Sequence, residues 1–358
     1  MRFVTVVGAR PQFIKAAPLS RELRRRHEEF LLHTGQHYDD NMSDVFFREL
    51  DLPAPDRHLG VGSGSQGVQT GAMLERIEQV LEDVQPDAVV VYGDTNSTLA
   101  GALAAAQAQI RLAHVEAGLR SRDRRMPEEI NRLVADVLAD VLFCPTRGAV
   151  ANLAAEGIRR GVHLVGDIMY DALLAAAEQA GRRAAGLLAG LGVSEKKYYL
   201  ATIHRAENTD EPQRLSGIFS ALSQCRWPVV LPLHPRTRKA LGDTAEGLPW
   251  PVRAMAPVGY LDMVALARSA RIILTDSGGL QKEAYFHRVP CVTLRASTEW
   301  PELVEAGCNR LGGAEPGAIS AAIAEIEARG ACLPETVPRD LYGDGQSARR
   351  IVEILNGT

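Results

Sequence analysis

The chain is poor in the features that mark several large classes of protein. Only 5% of its 358 residues are aromatic, and its five cysteines are widely spaced and form no CxxC pair. Structural zinc sites and disulfide frameworks need closely spaced or paired cysteines, so the sequence argues against both. No run of about 18 uncharged apolar residues occurs, which argues against a membrane-spanning helix. This composition is typical of a cytoplasmic protein, and that location is predicted.

An excess of positive charge is missing as well. The formal net charge is −4, which argues against a nucleic-acid partner held by general attraction. An anionic ligand must therefore be bound by a few placed arginine, lysine and backbone amide groups. No GxGxxG pattern follows the first apolar run, so the fingerprint of a dinucleotide-dependent dehydrogenase is absent. Neither a redox cofactor nor a metal is expected.

Short apolar runs alternate with longer helical patterns along the chain, and these runs predict buried parallel strands. The apolar run that ends at Gly8 is too short for a signal peptide and is predicted to be the first strand. The predicted strands are 3–7, 30–33, 88–92, 111–115, 141–144 and 163–165, then 199–202, 229–233, 252–255, 272–274 and 291–294. This alternation is typical of doubly wound α/β domains, and the length favours two of them.

Such folds bind ligands outside the carboxyl ends of their strands, so polar clusters that follow the predicted strands are candidate site residues. Gly8 ends the first strand, and the helix after it can offer amide groups to an anion, with charge added by Arg10 and Lys15. The alternative for this cluster is a plain turn. Asp94 follows the strand at 88–92 and is either a helix cap or a catalytic acid.

Two more acidic positions have open interpretations. Glu116 ends an apolar strand, and a buried charge there needs either a function or an ion pair with Arg120 or Arg122. Glu128 begins a helix and lies four residues before Arg132. The two either form a surface pair or contribute to a polar helix face directed into a cleft.

The second half of the chain carries the sharpest phosphate-binding pattern. A strand gives way to Ser277-Gly278-Gly279, which opens a helix whose first amides suit a pyrophosphate. Glu283 lies one to two turns into this helix, within reach of a ribose diol. His204, near Arg205 and Glu207, follows another strand and is a candidate ligand-binding residue rather than only a structural one.

Taken together, the motifs resemble a known family. They are Gly8-Ala-Arg-Pro-Gln12, Thr34-Gly-Gln-His37, Gly93-Asp-Thr-Asn-Ser97, His114-Val-Glu-Ala-Gly-Leu-Arg120, Pro127-Glu-Glu-Ile-Asn-Arg132, His204-Arg-Ala-Glu-Asn208 and Asp276-Ser-Gly-Gly-Leu-Gln281. In this order, over nearly the whole chain, they resemble the non-hydrolysing UDP-N-acetylglucosamine 2-epimerases. Each motif alone is weak, but the ordered set is highly specific.

The resemblance implies a glycosyltransferase-B-like fold, in which two Rossmann-like domains face a cleft that holds UDP. It implies an N-terminal domain over residues 1–166, completed by a C-terminal helix at 344–358, and a UDP-binding domain over 167–343. It further implies a homodimer and a reaction without a cofactor. In that reaction UDP is eliminated to give 2-acetamidoglucal and then returns as a proton is added to the opposite face of C2.

Carried over by position, the resemblance implies two sets of site residues. The catalytic set is Asp94, Glu116, Glu128 and His204. The set that binds UDP or the sugar is Arg10, Lys15, Arg132, His204, Tyr260, Ser277, Gly278, Gly279, Glu283 and Arg295. Crowded carboxylates raise each other's pKa, which would supply both an acid and a base near neutral pH. The sequence leaves open which carboxylate takes the C2 proton.

One position departs from the common family pattern and bears on the substrate. Trp300 stands where relatives often carry arginine, and an indole cannot make the bidentate contact of a guanidinium. Arg295 is a nearby candidate to compensate. Relatives with this tryptophan include enzymes that resemble epimerases of UDP-2,3-diacetamido-2,3-dideoxyglucuronic acid, whose C6 carboxylate needs a cation. That sugar is the alternative substrate.

A second departure follows Gln36-His37, where the chain differs from bacterial members that their own substrate activates allosterically. That regulation is not expected here. A hydrolytic 2-epimerase is a further option within the same fold. A glycosyltransferase and a non-catalytic nucleotide-sugar sensor are options from other classes, but neither needs the acids Asp94, Glu116 and Glu128.

Overall fold

A computed structural model gives the structure of the protein over residues 1–36 and 47–357. The chain forms two compact units, the first from Met1–Ala175 with Arg339–Thr358 and the second from Ala176–Pro338. The domain boundaries expected from the sequence, at 166/167 and 343/344, lie within ten residues of these divisions. His37 and the segment that follows it, up to residue 46, lie outside the described residues.

The strands alternate with helices along the chain. The strands are β1 (Arg2–Val7), β2 (Glu28–His33), β3 (Arg57–His58), β4 (Ala88–Tyr92), β5 (Arg111–Val115), β6 (Val141–Cys144), β7 (Val162–Leu164), β8 (Tyr199–Thr202), β9 (Val229–Pro232), β10 (Val252–Met255), β11 (Ile272–Thr275), β12 (Cys291–Thr293) and β13 (Asn309–Leu311). Most are short apolar runs, because a strand of a parallel sheet that helices cover on both faces is buried on both sides.

The helices fill the connections between these strands. They are α1 (Arg10–Leu23), α2 (Gln66–Val84), α3 (Asn96–Gln107), α4 (Pro127–Leu138), α5 (Arg147–Ala155), α6 (Ile168–Gly190), α7 (Ala206–Thr209), α8 (Pro212–Ser223), α9 (Pro235–Leu241), α10 (Tyr260–Ser269), α11 (Gly278–Phe286), α12 (Pro301–Glu305), α13 (Pro316–Ala328) and α14 (Ser347–Gly357). The C-terminal helix α14 packs on α1 and so completes the first unit.

Each unit is built on one parallel sheet. The first sheet has the strand order β3-β2-β1-β4-β5-β6-β7, and the second has the order β10-β9-β8-β11-β12-β13. In both, the winding reverses between two central neighbours, β1 and β4 in the first unit and β8 and β11 in the second. This is the doubly wound Rossmann order, whose ligands bind at the carboxyl ends of the strands beside the reversal.

The predicted α/β fold class with two doubly wound sheets is confirmed. Every predicted strand is present, with ends that differ by at most two residues. The strands β3 and β13 were not predicted, because edge strands of two and three residues carry too few positions to show a pattern. Across residues 1–36 and 47–357, no helix is both long enough and apolar enough to traverse a bilayer.

Candidate active site

The turn after β1 is shaped by close packing. A Cβ atom on Gly8 would overlap Thr34 Oγ1 and Ser97 Oγ, which are hydrogen-bonded to each other at 2.8 Å, so only glycine fits there. The side-chain oxygen of Gln12 accepts hydrogen bonds from the N–H groups of Gly8 (2.8 Å) and Ala9 (3.1 Å). These two amides are therefore used inside the protein, whereas the prediction that the helix after this turn offers amides to an anion stays a prediction.

A buried ion pair joins α1 to the end of β5. Lys15 Nζ contacts Glu116 Oε2, and the two residues are only 6% and 9% exposed. Glu116 follows β5 directly, with a φ of 71° in the left-handed region that side chains other than glycine rarely adopt. The N–H groups of Glu116 and Ala117 both donate to the carbonyl of Phe143 at 3.0 Å, which holds this backbone in place. Such enforced strain is concentrated at functional sites.

The loop between β4 and α3 brings a second carboxylate next to this pair. Tyr92 and Val115, the last residues of β4 and β5, are paired in register, so Gly93-Asp94 and Glu116 leave the sheet side by side. A Cβ atom on Gly93, whose φ is 61°, would lie 3.0 Å from Lys15 Nζ and 3.2 Å from Glu116 Oε2. Glycine therefore allows the loop to pass directly against the buried ion pair.

A polar face of α4 supports the Asp94 loop. Arg132 donates to Asp94 Oδ2 from Nε (3.0 Å) and from Nη2 (2.7 Å), and Asn131 donates to the Asp94 carbonyl (2.8 Å). Arg132 also pairs with Glu129 at 2.7 Å. Arg132 is buried, so its interpretation as half of a surface pair with Glu128 is wrong, and the alternative of a polar helix face directed into a cleft stays a prediction. Glu128 lies partly buried in the first turn of the same helix.

Glu129 fixes the segment that follows β5. Its carboxylate accepts hydrogen bonds from the N–H groups of Ser121 (2.8 Å) and Arg122 (2.9 Å) and from the Ser121 hydroxyl (3.0 Å). Burial alone would raise the pKa of Glu129, but these hydrogen bonds and the charge of Arg132 outweigh it and lower the pKa. A stable negative charge at this position keeps Arg132 in place beside Asp94.

Arg120 does not serve as the partner of Glu116. Its guanidinium pairs with Asp136 at 2.7 Å and with Glu156 at 2.6 Å. The buried Glu116 charge pairs with Lys15, so of the two structural ion pairs that the sequence left open, with Arg120 or with Arg122, the one with Arg120 is wrong. Glu116 and Asp94 are thus two carboxylates at neighbouring strand ends, each paired with a cation that offsets the cost of its burial.

In the second unit, Asp276 holds the turn after β8. Its fully buried carboxylate accepts hydrogen bonds from the N–H groups of His204 (3.0 Å) and Arg205 (2.9 Å) and from the side chain of Asn208 (3.0 Å). The His204 Nδ1 atom lies 3.4 Å from Asp276 Oδ1. The ring of His234 lies 5.2 Å from that of His204, measured between centroids, and places a second imidazole at this edge of the sheet.

The N-terminus of α11 lies beside this turn. Thr202 and Thr275 are paired in register, so His204 and Ser277 occupy equivalent positions after β8 and β11. Ser277 caps α11 by accepting a hydrogen bond from the N–H group of Leu280 at 3.4 Å. Gly278 and Gly279 begin the helix, where N–H groups have no partner within the helix and can bind an anion. Glu283 is buried further along α11.

Trp300 packs against the same helix end. Its Nε1 atom lies 3.4 Å from the position that a Cβ atom on Gly278 would occupy. Lys282 Nζ lies 4.1 Å from the centroid of the indole ring, a cation–π geometry, and both residues are buried. Tyr260, the first residue of α10, is buried too. The position that the sequence marked as unusual is thus at the predicted phosphate site.

Arg295 is held by two carboxylates. Its Nε atom donates to Glu207 (2.7 Å), and its Nη1 atom donates to both oxygens of Glu299 (2.9 and 2.8 Å). Burial alone would lower the pKa of Arg295, but the charges and hydrogen bonds of these carboxylates outweigh it and raise the pKa. A contact between Arg295 and a ligand has to compete with these ion pairs.

Comparison with known proteins assigns the family. A model of the family described as UDP-N-acetylglucosamine 2-epimerase matches residues 21–356. The chain belongs to the UDP-N-acetylglucosamine 2-epimerase family. The resemblance inferred from the motifs is therefore confirmed, and with it the prediction that the protein is an isomerase.

Epimerases similar to this chain come from archaea and bacteria. A Methanococcus maripaludis protein, named a UDP-N-acetylglucosamine 2-epimerase homolog, is 50% identical over 99% of both chains. The UDP-2,3-diacetamido-2,3-dideoxy-D-glucuronate 2-epimerase of Pseudomonas aeruginosa is 48% identical over 99% of both chains. A crystal structure of the Methanocaldococcus jannaschii UDP-GlcNAc 2-epimerase with UDP-GlcNAc and UDP matches with a TM-score of 0.92, at 41% identity and with complete coverage of both chains.

The structure also shows residues of this epimerase that the sequence analysis did not single out. They are Gln12, His114, Glu129, Asp136, Asp276 and His234. Most of these polar side chains are buried and bind backbone groups of the strand-end loops. All of them except His234 lie within or near the quoted motifs, but important partners, such as Gly93 for His114 and His204 for Asp276, lie far away along the chain.

Proposed function

We propose that the protein inverts C2 of UDP-N-acetylglucosamine and so interconverts it with UDP-N-acetylmannosamine. The observation that carries this proposal is the placement of Asp94 and Glu116, two carboxylates side by side at neighbouring strand ends, each beside a cation. Relatives that are named UDP-N-acetylglucosamine 2-epimerases support it, as does the solved structure of a relative with bound UDP-GlcNAc.

In the proposed reaction, residues of the first unit act on the sugar. The C2 proton is weakly acidic, so its removal needs a base that is positioned close to it and matched in pKa. Asp94, Glu116 and Glu128 are the proposed acids and bases, and Lys15 and Arg132 hold the first two in position.

Residues of the second unit bind the UDP group. As the C1–O bond breaks, negative charge develops on UDP, and preorganised donors stabilise it. His204 and the amides of Gly278 and Gly279 are the proposed donors, and Arg10 is a further proposed ligand of UDP. The N–H group of Ser277 donates to Thr275 Oγ1 at 2.9 Å, so the expectation that its amide binds the diphosphate is wrong, and Ser277 is proposed to act through its side chain. Glu283 is proposed to bind the ribose, and Tyr260 and Arg295 complete the site. The scheme uses no redox cofactor and no metal.

The function is tested by proton NMR of the purified enzyme with UDP-N-acetylglucosamine in D2O, without added metal or NAD. We expect deuterium at C2 and the anomeric signal of UDP-N-acetylmannosamine, because the base exchanges its proton with solvent before the proton returns. Unchanged substrate in the presence of measurable UDP binding would refute this substrate. Release of free UDP with N-acetylmannosamine would instead indicate a hydrolytic enzyme.

A second candidate substrate is UDP-2,3-diacetamido-2,3-dideoxyglucuronic acid. It is favoured by the 48% identity to the Pseudomonas aeruginosa epimerase and by Lys282, a cation held over Trp300 at the end of α11. A C6 carboxylate needs such a cation, whereas the hydroxymethyl group of N-acetylglucosamine does not. Measuring kcat/KM for both substrates decides between them. A higher kcat/KM for the uronic acid than for UDP-N-acetylglucosamine would contradict the first proposal.

We further propose that the protein is a homodimer in the cytoplasm and that two copies meet through α4. This helix buries polar side chains and exposes apolar ones. Ile130 and Val137 are 40% and 70% exposed, whereas the buried polar residues are Glu129, Asn131, Arg132 and Asp136. Ile130 and Val137 are seven residues apart and share one helix face. An apolar face that water covers is unfavourable, and a second copy would remove it from water.

Replacing Val137 with arginine is expected to convert the dimer to a monomer, because a charge would be buried at the centre of the contact. Light scattering during gel filtration measures the change, from about twice the chain mass of 38.8 kDa to the chain mass itself. Leu311→Arg is the matched control, since Leu311 is also an exposed apolar residue but lies in the second unit. A wild-type monomer, or a V137R variant that remains dimeric, would contradict the proposal.

A further inference from the structure

His114 is a fully buried histidine whose two ring nitrogens both have partners. Nε2 lies 2.8 Å from the carbonyl oxygen of Gly93, and Nδ1 lies 2.7 Å from Asp136 Oδ1. A carbonyl oxygen only accepts hydrogen bonds, so Nε2 must carry a proton. The charge of the ring then depends on whether Nδ1 carries a second one.

The other contacts of Asp136 decide that question. Its Oδ2 atom accepts hydrogen bonds from the N–H group of Gly118 (3.0 Å) and from Arg120 Nη1 (2.7 Å), which is the environment of an ionised carboxylate. Because Asp136 Oδ1 then has no proton to donate, the hydrogen at Nδ1 belongs to His114.

The contact with Gly93 connects His114 to the candidate active site. The N–H group of Gly93 donates to the carbonyl of Val115 at 2.9 Å, and its own carbonyl accepts from His114, so the Gly93 residue is fixed to β5 from both sides. Gly93 precedes Asp94 and lies directly against the ion pair of Lys15 and Glu116. A shift of this residue would therefore displace both candidate carboxylates.

We propose that His114 is a positioning residue whose two ring nitrogens both donate, so that the ring ties Asp136 to the Gly93 carbonyl and thereby sets the positions of Asp94 and Glu116. It does not exchange a proton with the substrate, because it is fully buried beneath the loop. The positioning role rests on the proposed function, whereas the protonation of the ring does not. The two parts can therefore be tested separately.

Two neutral variants separate the two contacts of the ring. The side-chain amide nitrogen of glutamine reaches the position of Nε2 and keeps the hydrogen bond to Gly93. The shorter asparagine places its amide nitrogen at the position of Nδ1 and keeps only the hydrogen bond to Asp136. We expect His114→Asn to lower kcat by about 100-fold and His114→Gln to retain at least about ten times more activity, since small misplacements of catalytic groups have effects of this size. UDP affinity should change less than about threefold in both variants, because the UDP-binding groups lie elsewhere.

Equal kcat values for the two variants would overturn the positioning role. The protonation of the ring is measured on the wild-type enzyme, and either folded variant assigns the His114 signals by their disappearance. Nitrogen-15 NMR of histidine-labelled enzyme should show both ring nitrogens of His114 protonated at neutral pH. One unprotonated ring nitrogen would overturn the assignment of two donors, even if wild-type enzyme failed to epimerise either sugar.

Discussion

Replacing Glu116 with glutamine is expected to abolish epimerisation, with kcat lower by about 1,000-fold, while UDP still binds. Glutamine keeps the size of the side chain and cannot take or return a proton at C2. Asp94→Asn is expected to have the same effect for the same reason. Deuterium incorporation at C2 measures the chemical step, and calorimetric titration with UDP measures binding.

A control separates lost chemistry from lost stability. Glu116→Gln leaves the buried charge of Lys15 without its carboxylate, which by itself destabilises the fold. The double variant Lys15→Met with Glu116→Gln removes both charges, so we expect its melting temperature to recover toward that of the wild type while its activity stays lost. Retained epimerisation in both Glu116→Gln and Asp94→Asn would show that the acid–base assignment is wrong.

Replacing Ser277 with aspartate is expected to weaken UDP binding by about 100-fold, because it places a like charge next to the diphosphate. The helix itself should be unaffected, since aspartate caps a helix N-terminus as well as serine does. The effect should therefore appear in the UDP dissociation constant measured by calorimetry and not in the melting temperature.

Ser277→Asn is the matched control for that prediction. Asparagine has the shape of aspartate and caps helices equally well but carries no charge, so UDP affinity should fall by less than about tenfold. High salt should narrow the difference between the two variants, because it screens the repulsion between the carboxylate and the diphosphate. Equal UDP affinity for Ser277→Asp and the wild-type enzyme would rule out this helix end as the diphosphate site.

Two glycines of the first unit show what a linear pattern conveys. Gly8 was predicted to end a strand and Gly93 belongs to a quoted motif, but the reason that each must be glycine is a neighbour from elsewhere in the chain. For Gly8 it is the pair of hydroxyl groups on Thr34 and Ser97, and for Gly93 it is the ion pair of Lys15 and Glu116. The order of the motifs identified the family, whereas these contacts explain why the two motif positions must be glycine.

Two of the expectations that the structure overturned share one cause. A side chain was assigned to the nearest candidate along the sequence, Glu116 to Arg120 and Glu128 to Arg132. In the fold, Glu116 pairs with Lys15, which is 101 residues away, and Arg132 reaches Asp94, which is 38 residues away. Parallel strands bring distant segments to one edge of a sheet, so the partners of strand-end residues cannot be read from local spacing.

The sequence by itself determined the α/β class, most of the strands and the family, because buried parallel strands are continuous apolar runs and the ordered motifs are specific. Only the tertiary structure decided how the charges are paired and that His114 and Asp136 lie beneath the Asp94 loop. It also decided that the amides of the turn after β1 donate to the Gln12 side chain. The physical reason is that the energy of a buried charge depends on its neighbours in space. Those neighbours are set by the packing of the whole sheet.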